Sequence, residues 1–126
     1  MNSKDFNPGD ILKATYQEIN KGYHPIIFIS GRSSRNFIGA MITHHADKKR
    51  NVEMEATHFK NGYEFKFDKS YVVKGRSIKS EEWGPFRKIG QLTEKGLEFV
   101  NNAIAQEQEE TFAKYFARLT NDKNIQ

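Results

Sequence analysis

The run Tyr23–Ser30 (YHPIIFIS) constrains the fold more than any other part of this sequence. It is rich in β-branched and aromatic residues and is bounded by turn residues, which predicts a strand. Its continuous apolar character predicts burial on both faces, near the middle of a sheet. A second strand is predicted at Phe37–His44 (FIGAMITH), after the short basic loop Gly31–Asn36.

Shorter strand patterns lie on either side of these two runs. They are expected at Ile11–Tyr16, Val52–His58, Tyr63–Phe67, Tyr71–Val73, Arg76–Ile78 and Lys88–Leu92. The dipeptide Asn61-Gly62 is typical of a tight hairpin turn, because both residues accept positive φ. Short strands at this density predict a mainly β domain.

The hydrophobic period changes at Thr93, which is a plausible helix N-cap. Apolar residues then recur at helical spacing, with a break or solvated segment expected at Ala105–Glu110. We therefore expect one domain over residues 1–126, with a small barrel at about 8–92 and a C-terminal helix at about 93–119.

Composition excludes several classes of protein. The chain has no cysteine, so disulfide frameworks and thiolate metal sites are excluded. Its N-terminus lacks the pattern of a signal peptide, and its longest apolar run is far too short to cross a membrane. The sequence thus predicts a soluble cytoplasmic protein with no membrane partner.

Basic charge is concentrated in the middle of the chain. Residues 20–92 contain fourteen Lys and Arg against seven Asp and Glu, whereas both flanking segments are slightly acidic. A basic surface attracts polyanions such as nucleic acids. Ordinary solvated loops explain the same lysines equally well, so charge alone leaves both interpretations open.

Histidines at positions 24, 44, 45 and 58 are the side chains best suited to proton transfer near neutral pH. Taken singly, a histidine is more often an ordinary surface or packing residue. No metal-site spacing is present, since strand neighbours such as His44 and His45 face opposite sides. No glycine-rich phosphate loop is present either. We therefore expect neither a metal nor another cofactor.

Arginines in the basic segment suggest a second kind of chemistry. Arginine forks clamp phosphates, and aromatic side chains stack on unpaired bases. RNA cleavage without a metal needs two proton-transfer groups and a cation beside the scissile phosphate. Histidine, threonine and arginine side chains suffice for this reaction.

Five short motifs follow one another along the chain. They are Gly9-Asp10-Ile11-Leu12, His24-Pro25-Ile26-Ile27-Phe28-Ile29-Ser30, Ile42-Thr43, Arg76-Ser77-Ile78 and Lys88-Ile89-Gly90-Gln91-Leu92. In this order they resemble the MazF/PemK family of toxins, and the resemblance covers roughly residues 8–104. It implies an SH3-like barrel of the CcdB/MazF type, a homodimer and metal-independent cleavage of single-stranded RNA that leaves a cyclic phosphate. A labile antitoxin protein would be the partner.

The resemblance also implies roles for individual residues. Thr43 matches the family's catalytic threonine, and His24 stands where the family has its catalytic arginine. We expect His24 to act as acid or base, Thr43 to orient or stabilise the phosphate, and Arg76 to bind the backbone as the third catalytic residue. The expected RNA-binding residues are Arg32, Arg35, His44 and Ser77. The expected function is that of the endoribonuclease toxin of a toxin–antitoxin system.

Histidine lacks the constant charge and the forked donors of arginine, which leaves three possibilities for the site. Either His24 takes the role, or Arg32 or Arg35 supplies the cation, or the chain does not cleave RNA. The alternative from another class is a non-catalytic small barrel that binds RNA or a protein partner. A third is a phage or plasmid accessory protein that uses the barrel only for assembly.

Overall fold

The computed structural model describes residues 5–14, 24–44, 46, 49–80 and 85–111. Within these ranges the chain is mainly β, with one α-helix after the seventh strand. The elements are β1 (Asp10–Ala14), β2 (His24–Gly31), β3 (Asn36–Thr43), β4 (Asn51–Glu53), a 3₁₀ helix (Ala56–His58), β5 (Tyr71–Val73), β6 (Arg76–Ser80), β7 (Arg87–Gln91), α1 (Glu94–Ile104) and β8 (Glu109–Thr111).

Strand β3 lies at the centre of the sheet. The order of neighbouring strands is β4-β5-β3-β2-β1-β7, and β6 pairs with β3 beside β5. All of these pairs are antiparallel, whereas β8 runs parallel to β6. The two long strands expected from the apolar runs are thus confirmed as β2 and β3, and they pair with each other.

The described strands form an open sheet with β4 and β7 at its two ends. A single bridge between Phe59 and Leu92 joins the segment after the 3₁₀ helix to the end of β7. The Lys60 N–H also donates to the Gln91 carbonyl at 2.9 Å. These contacts do not form a continuous ladder, so the expected closure into an SH3-like barrel stays a prediction.

Two of the expected strands differ from the sequence-based expectation. The strand expected at Val52–His58 ends at Glu53, because the chain turns into the 3₁₀ helix. No strand forms at Tyr63–Phe67, where the ring of Phe65 instead packs at 5.4 Å from that of Phe59.

The C-terminal helix is shorter than the expected 93–119. It ends at Ile104, where the expected polar break begins, and residues 109–111 form strand β8. A polar segment offers no apolar face to bury, which ends the helix there. Residues 112–119 of the expected helix lie outside the described ranges, as do residues 15, 16 and 23 of the expected strands.

Both faces of the central strands are buried, which confirms the expectation for β2. Alternating side chains of β2 enter two separate clusters: Ile27 lies in the main core beneath α1, and Phe28 lies in a second cluster on the opposite face. In that second cluster the rings of Phe28 and Phe37 stack with centroids 5.0 Å apart. No helix within the described residues is long and apolar enough to cross a membrane.

The N-terminus of α1 is docked on the 3₁₀ helix. Thr93 is the N-cap, as expected, and its side chain accepts a hydrogen bond from the Gly96 N–H at 3.1 Å. The Thr93 N–H donates to the His58 carbonyl at 3.0 Å, and the Thr93 hydroxyl donates to the Thr57 carbonyl at 2.8 Å. A Cβ atom at Gly96 would overlap the His58 carbonyl oxygen, so only glycine permits this close approach.

Replacing Gly96 with alanine tests this docking. Alanine normally stabilises a helix relative to glycine by roughly 1 kcal/mol, so propensity alone predicts a gain. The overlap with the His58 backbone predicts instead that Gly96→Ala lowers the free energy of unfolding by about 1–3 kcal/mol in urea denaturation. Asn101→Ala, at an exposed position of α1, is the matched control and should leave stability unchanged or slightly raised. A gain in Gly96→Ala equal to that of the control would contradict the docking.

Candidate functional site

Two of the expected catalytic residues come to the same end of the sheet. The last recorded pair of the β2–β3 ladder at this end is Ile26 opposite Met41. His24 and Thr43 each lie two residues beyond that pair, at corresponding positions of an antiparallel register. On its other side, His24 is paired with Ala14 of β1. The fold therefore brings these two positions together, as the expected mechanism requires.

The same register extends across two further strands. Tyr71 of β5 lies opposite Thr43, and Glu53 of β4 lies opposite Tyr71. We call Glu53, Tyr71, Thr43 and the position of His24 the end row. With strands about 4.8 Å apart, it is roughly 14 Å long. Directly opposed residues share a face, and alternation places Thr43 on the side away from the buried Ile42.

The end row combines chemically useful groups at an accessible edge. Thr43 and Tyr71 are half-buried and Glu53 is exposed. A carboxylate, a phenol and a hydroxyl thus follow one another toward a histidine position. Sequence reasoning missed Tyr71 and Glu53, because only long-range strand pairing places them beside Thr43. The one local signal was a tyrosine at the start of a short strand.

His44 follows directly after β3, and its ring contacts two backbone carbonyl groups. Its Nδ1 atom lies 2.9 Å from the Asp68 carbonyl oxygen and 3.4 Å from that of Lys69. A carbonyl oxygen only accepts, so Nδ1 is the donor in this contact. The backbone that presents these carbonyls includes Lys69 at φ +33°, an uncommon conformation for a residue with a side chain. His44 is exposed and lies next to Thr43 of the end row.

Arg76 and Ser77 lie further along the sheet, at the start of β6. Ser77 is opposite Gly39, four residues before Thr43 and therefore roughly 13 Å away along β3. Ser77 is only 5% exposed, which leaves little surface for contact with RNA. Arg76 is half-buried, and its Nε atom is buried without a hydrogen-bond partner in the described part of the chain. Its partner in the parallel pair with β8 is Glu109.

Arg32 and Arg35 are exposed in the turn between β2 and β3, at the opposite end of the hairpin. Eight residues separate Arg35 from Thr43, which is about 26 Å of strand. The Arg32 Nε atom lies 3.9 Å from a carboxylate oxygen of Glu109, the residue paired with Arg76. The arginines thus form a group separate from the end row.

His58 has a structural role. It is only 3% exposed, and its Nδ1 accepts a hydrogen bond from the Glu55 N–H at 3.0 Å. Its ring stacks on Phe99 of α1 with centroids 4.4 Å apart. Burial lowers the pKa of His58; the charge of Glu55 opposes this change and that of Lys95 adds to it. The fourth histidine, His45, lies outside the described residues.

Some of the basic side chains between residues 20 and 92 are buried or paired with a carboxylate. Lys79 is 1% exposed, opposite Phe37, and burial lowers the pKa of Lys79 to about 8. Arg87 forms two hydrogen bonds with the Glu64 carboxylate, at 2.6 and 3.1 Å. Burial of Lys79 therefore takes one of the counted positive charges away from the surface. Within the described ranges, no group of three or more His, Asp or Glu residues is placed to hold a metal ion.

Comparison with known proteins identifies no relative from which a function could be inferred. No family model matches the chain, and no curated protein matches it. Membership of the MazF/PemK family therefore stays a prediction that rests on the five motifs.

The lowered pKa of His58 makes stability depend on pH. In the folded state His58 takes up a proton only at a lower pH than in the unfolded chain, where its pKa is about 6.5. The stabilisation is present above that pH and is lost between it and the lower pKa of the folded state. His58→Asn does not titrate and keeps an acceptor near the Nδ1 position. Urea denaturation between pH 8 and 5 should show the wild type losing stability relative to this variant below pH 6.5, whereas parallel curves would contradict the assignment.

Proposed function

We propose that this protein is a metal-independent endoribonuclease of the MazF/PemK kind that cleaves single-stranded RNA at the end row. The observation that supports this most is the register that aligns Glu53, Tyr71 and Thr43 with the position of His24. Proton-transfer groups and hydrogen-bond donors are what such cleavage needs, and here they follow one another along one row of the sheet.

His44 is the general base in this proposal. Its Nε2 takes the proton of the ribose 2′-hydroxyl, which then attacks the adjacent phosphorus. The bond from the 2′-oxygen to phosphorus forms, and the bond from phosphorus to the 5′-oxygen breaks. His24 protonates the leaving 5′-oxygen, so the products are a 2′,3′-cyclic phosphate and a 5′-hydroxyl.

Thr43 and Tyr71 stabilise the charge that develops on the phosphate. Both are half-buried donors on the same face of the sheet, and a partly desolvated donor is worth more than one in water. Glu53 limits how far the anionic backbone extends toward β4. The scissile phosphate is thereby confined to the segment between Tyr71 and the position of His24.

Arginines bind the RNA backbone away from the scissile bond. Arg76 begins β6, the strand that pairs with β3 further from the end row, so we assign it to a phosphate away from the scissile one. Arg32 and Arg35, at the far end of the β2–β3 hairpin, attract the strand over a longer distance. In this proposal the arginines bind the RNA backbone, and the residues of the end row carry out the cleavage.

A toxin of a toxin–antitoxin system is the biological role that fits this activity. The proposal includes a cytoplasmic location, an SH3-like barrel, a homodimer and an antitoxin protein that masks the RNA site. It rests on the five motifs of the sequence together with the end row.

A non-catalytic RNA-binding barrel is the second candidate. One observation favours it: neither Glu53, Tyr71 nor Thr43 supplies a constant positive charge, and position 24 is a histidine rather than an arginine. Without a cation at the phosphorus, the end row binds RNA without accelerating cleavage enough to matter.

Cleavage of a long single-stranded RNA in excess EDTA separates the two candidates. The wild-type protein should cut the RNA and leave cyclic phosphate ends. His24→Ala, Thr43→Ala and His44→Asn should each lower the rate by about 10²-fold or more. Asparagine retains an N–H that can bond to the Asp68 carbonyl but lacks the Nε2 acceptor, so loss of activity in His44→Asn would isolate proton transfer.

Ser34→Ala is the matched control, because Ser34 is exposed in the β2–β3 turn far from the end row. It should cleave at the wild-type rate. RNA binding without any cleavage would contradict the nuclease and support the binding module. Cleavage at an unchanged rate in both Thr43→Ala and His44→Asn would exclude the end row as the reaction site.

A further inference from the structure

An aromatic cavity opens in the segment that connects β4 to β5. Its volume is about 140 Å³, close to that of the roughly 150 Å³ cavity that accepts one benzene ring. Three phenylalanines line it, and the rings of Phe65 and Phe67 each lie 5.4 Å from the ring of Phe59. The cavity is therefore suited to one planar aromatic ring.

Phe67 distinguishes this cavity from ordinary core packing. It is 37% exposed and is the one large hydrophobic residue in the described part of the chain that reaches this exposure. Phe59, by contrast, is buried at 7% and belongs to the main core. Phe67 thus packs against Phe59 while part of its ring is exposed, and another ring can stack on the exposed part. We call this the aromatic platform.

Polar groups surround the aromatic platform. Lys60 and Lys66 line the same cavity and are both exposed, and Asn61 is a further polar lining residue. Lysines bring positive charge to the opening, which favours an aromatic ligand attached to an anion. The amide of Asn61 offers both a donor and an acceptor for the edge of a heterocycle.

We propose that this cavity binds a single unpaired nucleobase of single-stranded RNA. The base stacks on Phe67, and Lys60 and Lys66 neutralise the phosphates on either side of it. Aromatic stacking combined with a cationic rim is how proteins hold single strands. The inference rests on the proposed RNA-directed function and assigns that function a subsite outside the end row.

The position of the cavity in the chain links it to the end row. Its lining residues lie between Glu53 and Tyr71, which are two members of that row. Phe67 is four residues before Tyr71, so the two are no more than about 14 Å apart. Asp68 and Lys69, which bind His44 through their carbonyls, lie between them. A bound base would thus hold a nearby phosphate in register with the row.

Fluorescence of a short 2′-O-methyl RNA that contains one 2-aminopurine tests the subsite. This RNA has no 2′-hydroxyl to react, so binding is measured apart from cleavage. Addition of the wild-type protein should change the emission as the base stacks. Phe67→Ala should abolish this change and weaken binding by roughly 5- to 150-fold, the usual cost of one lost base–aromatic stack.

The two lysines are tested by the salt dependence of binding. Lys60→Gln and Lys66→Gln should each reduce the slope of log affinity against log salt concentration by about 0.7.

Two controls separate stacking from folding and from overall charge. Tyr63→Leu removes a ring from the same segment outside the cavity, and Lys74→Gln removes a charge from the turn after β5. Both should keep the 2-aminopurine signal, and Phe67→Ala should remain folded, with a cooperative urea transition and the wild-type circular dichroism spectrum. If Phe67→Ala binds and quenches like the wild type, the subsite is overturned.

The all-ribose RNA in the same experiment distinguishes this failure from failure of the nuclease. Cleavage with an unchanged Phe67→Ala signal overturns the subsite alone. A Phe67-dependent signal without cleavage overturns the nuclease and supports the subsite. Absence of any RNA binding by the wild-type protein overturns both.

Discussion

The backbone pairing of β3 is the constraint on which the rest of the structure depends. One edge of this strand is hydrogen-bonded to β2, and the other edge is shared by β6 and then β5. Each candidate group takes its position from this ladder. The register to β5 sets Tyr71 opposite Thr43, whereas the register to β6 sets Ser77 opposite Gly39. A shift of this register by one residue would turn the Thr43 side chain toward the core and away from the other residues of the end row.

Packing on both faces keeps that register fixed. Ile42 and Val72 lie in the core beneath α1, while Phe28 and Phe37 stack on the opposite face. The helix is in turn held by its N-terminus, where the closeness of Gly96 to the His58 carbonyl leaves no room for a side chain. Residues that the sequence offered as possible catalysts are thereby divided: His58 stabilises the fold, and His44 is exposed beside the end row.

Local signals predicted much of the fold. The apolar runs identified β2 and β3, the change of period identified the start of α1, and Thr93 was recognised as its cap. Elements stabilised by distant contacts were not predicted, as with the 3₁₀ helix that replaces a strand at Ala56–His58. The end row shows the same limit, because Tyr71 and Glu53 join Thr43 only through strand pairing. Reading charge along the chain likewise could not separate buried Lys79 from exposed lysines.

NMR titration of the labelled protein with a 2′-O-methyl RNA tests most directly whether single-stranded RNA binds across the end row. If RNA binds there, the largest amide shift changes fall at Glu53, Tyr71, Thr43 and His44, with smaller changes at the distant turn that contains Arg32 and Arg35. Changes confined to that turn, with the end row unaffected at saturation, would contradict it.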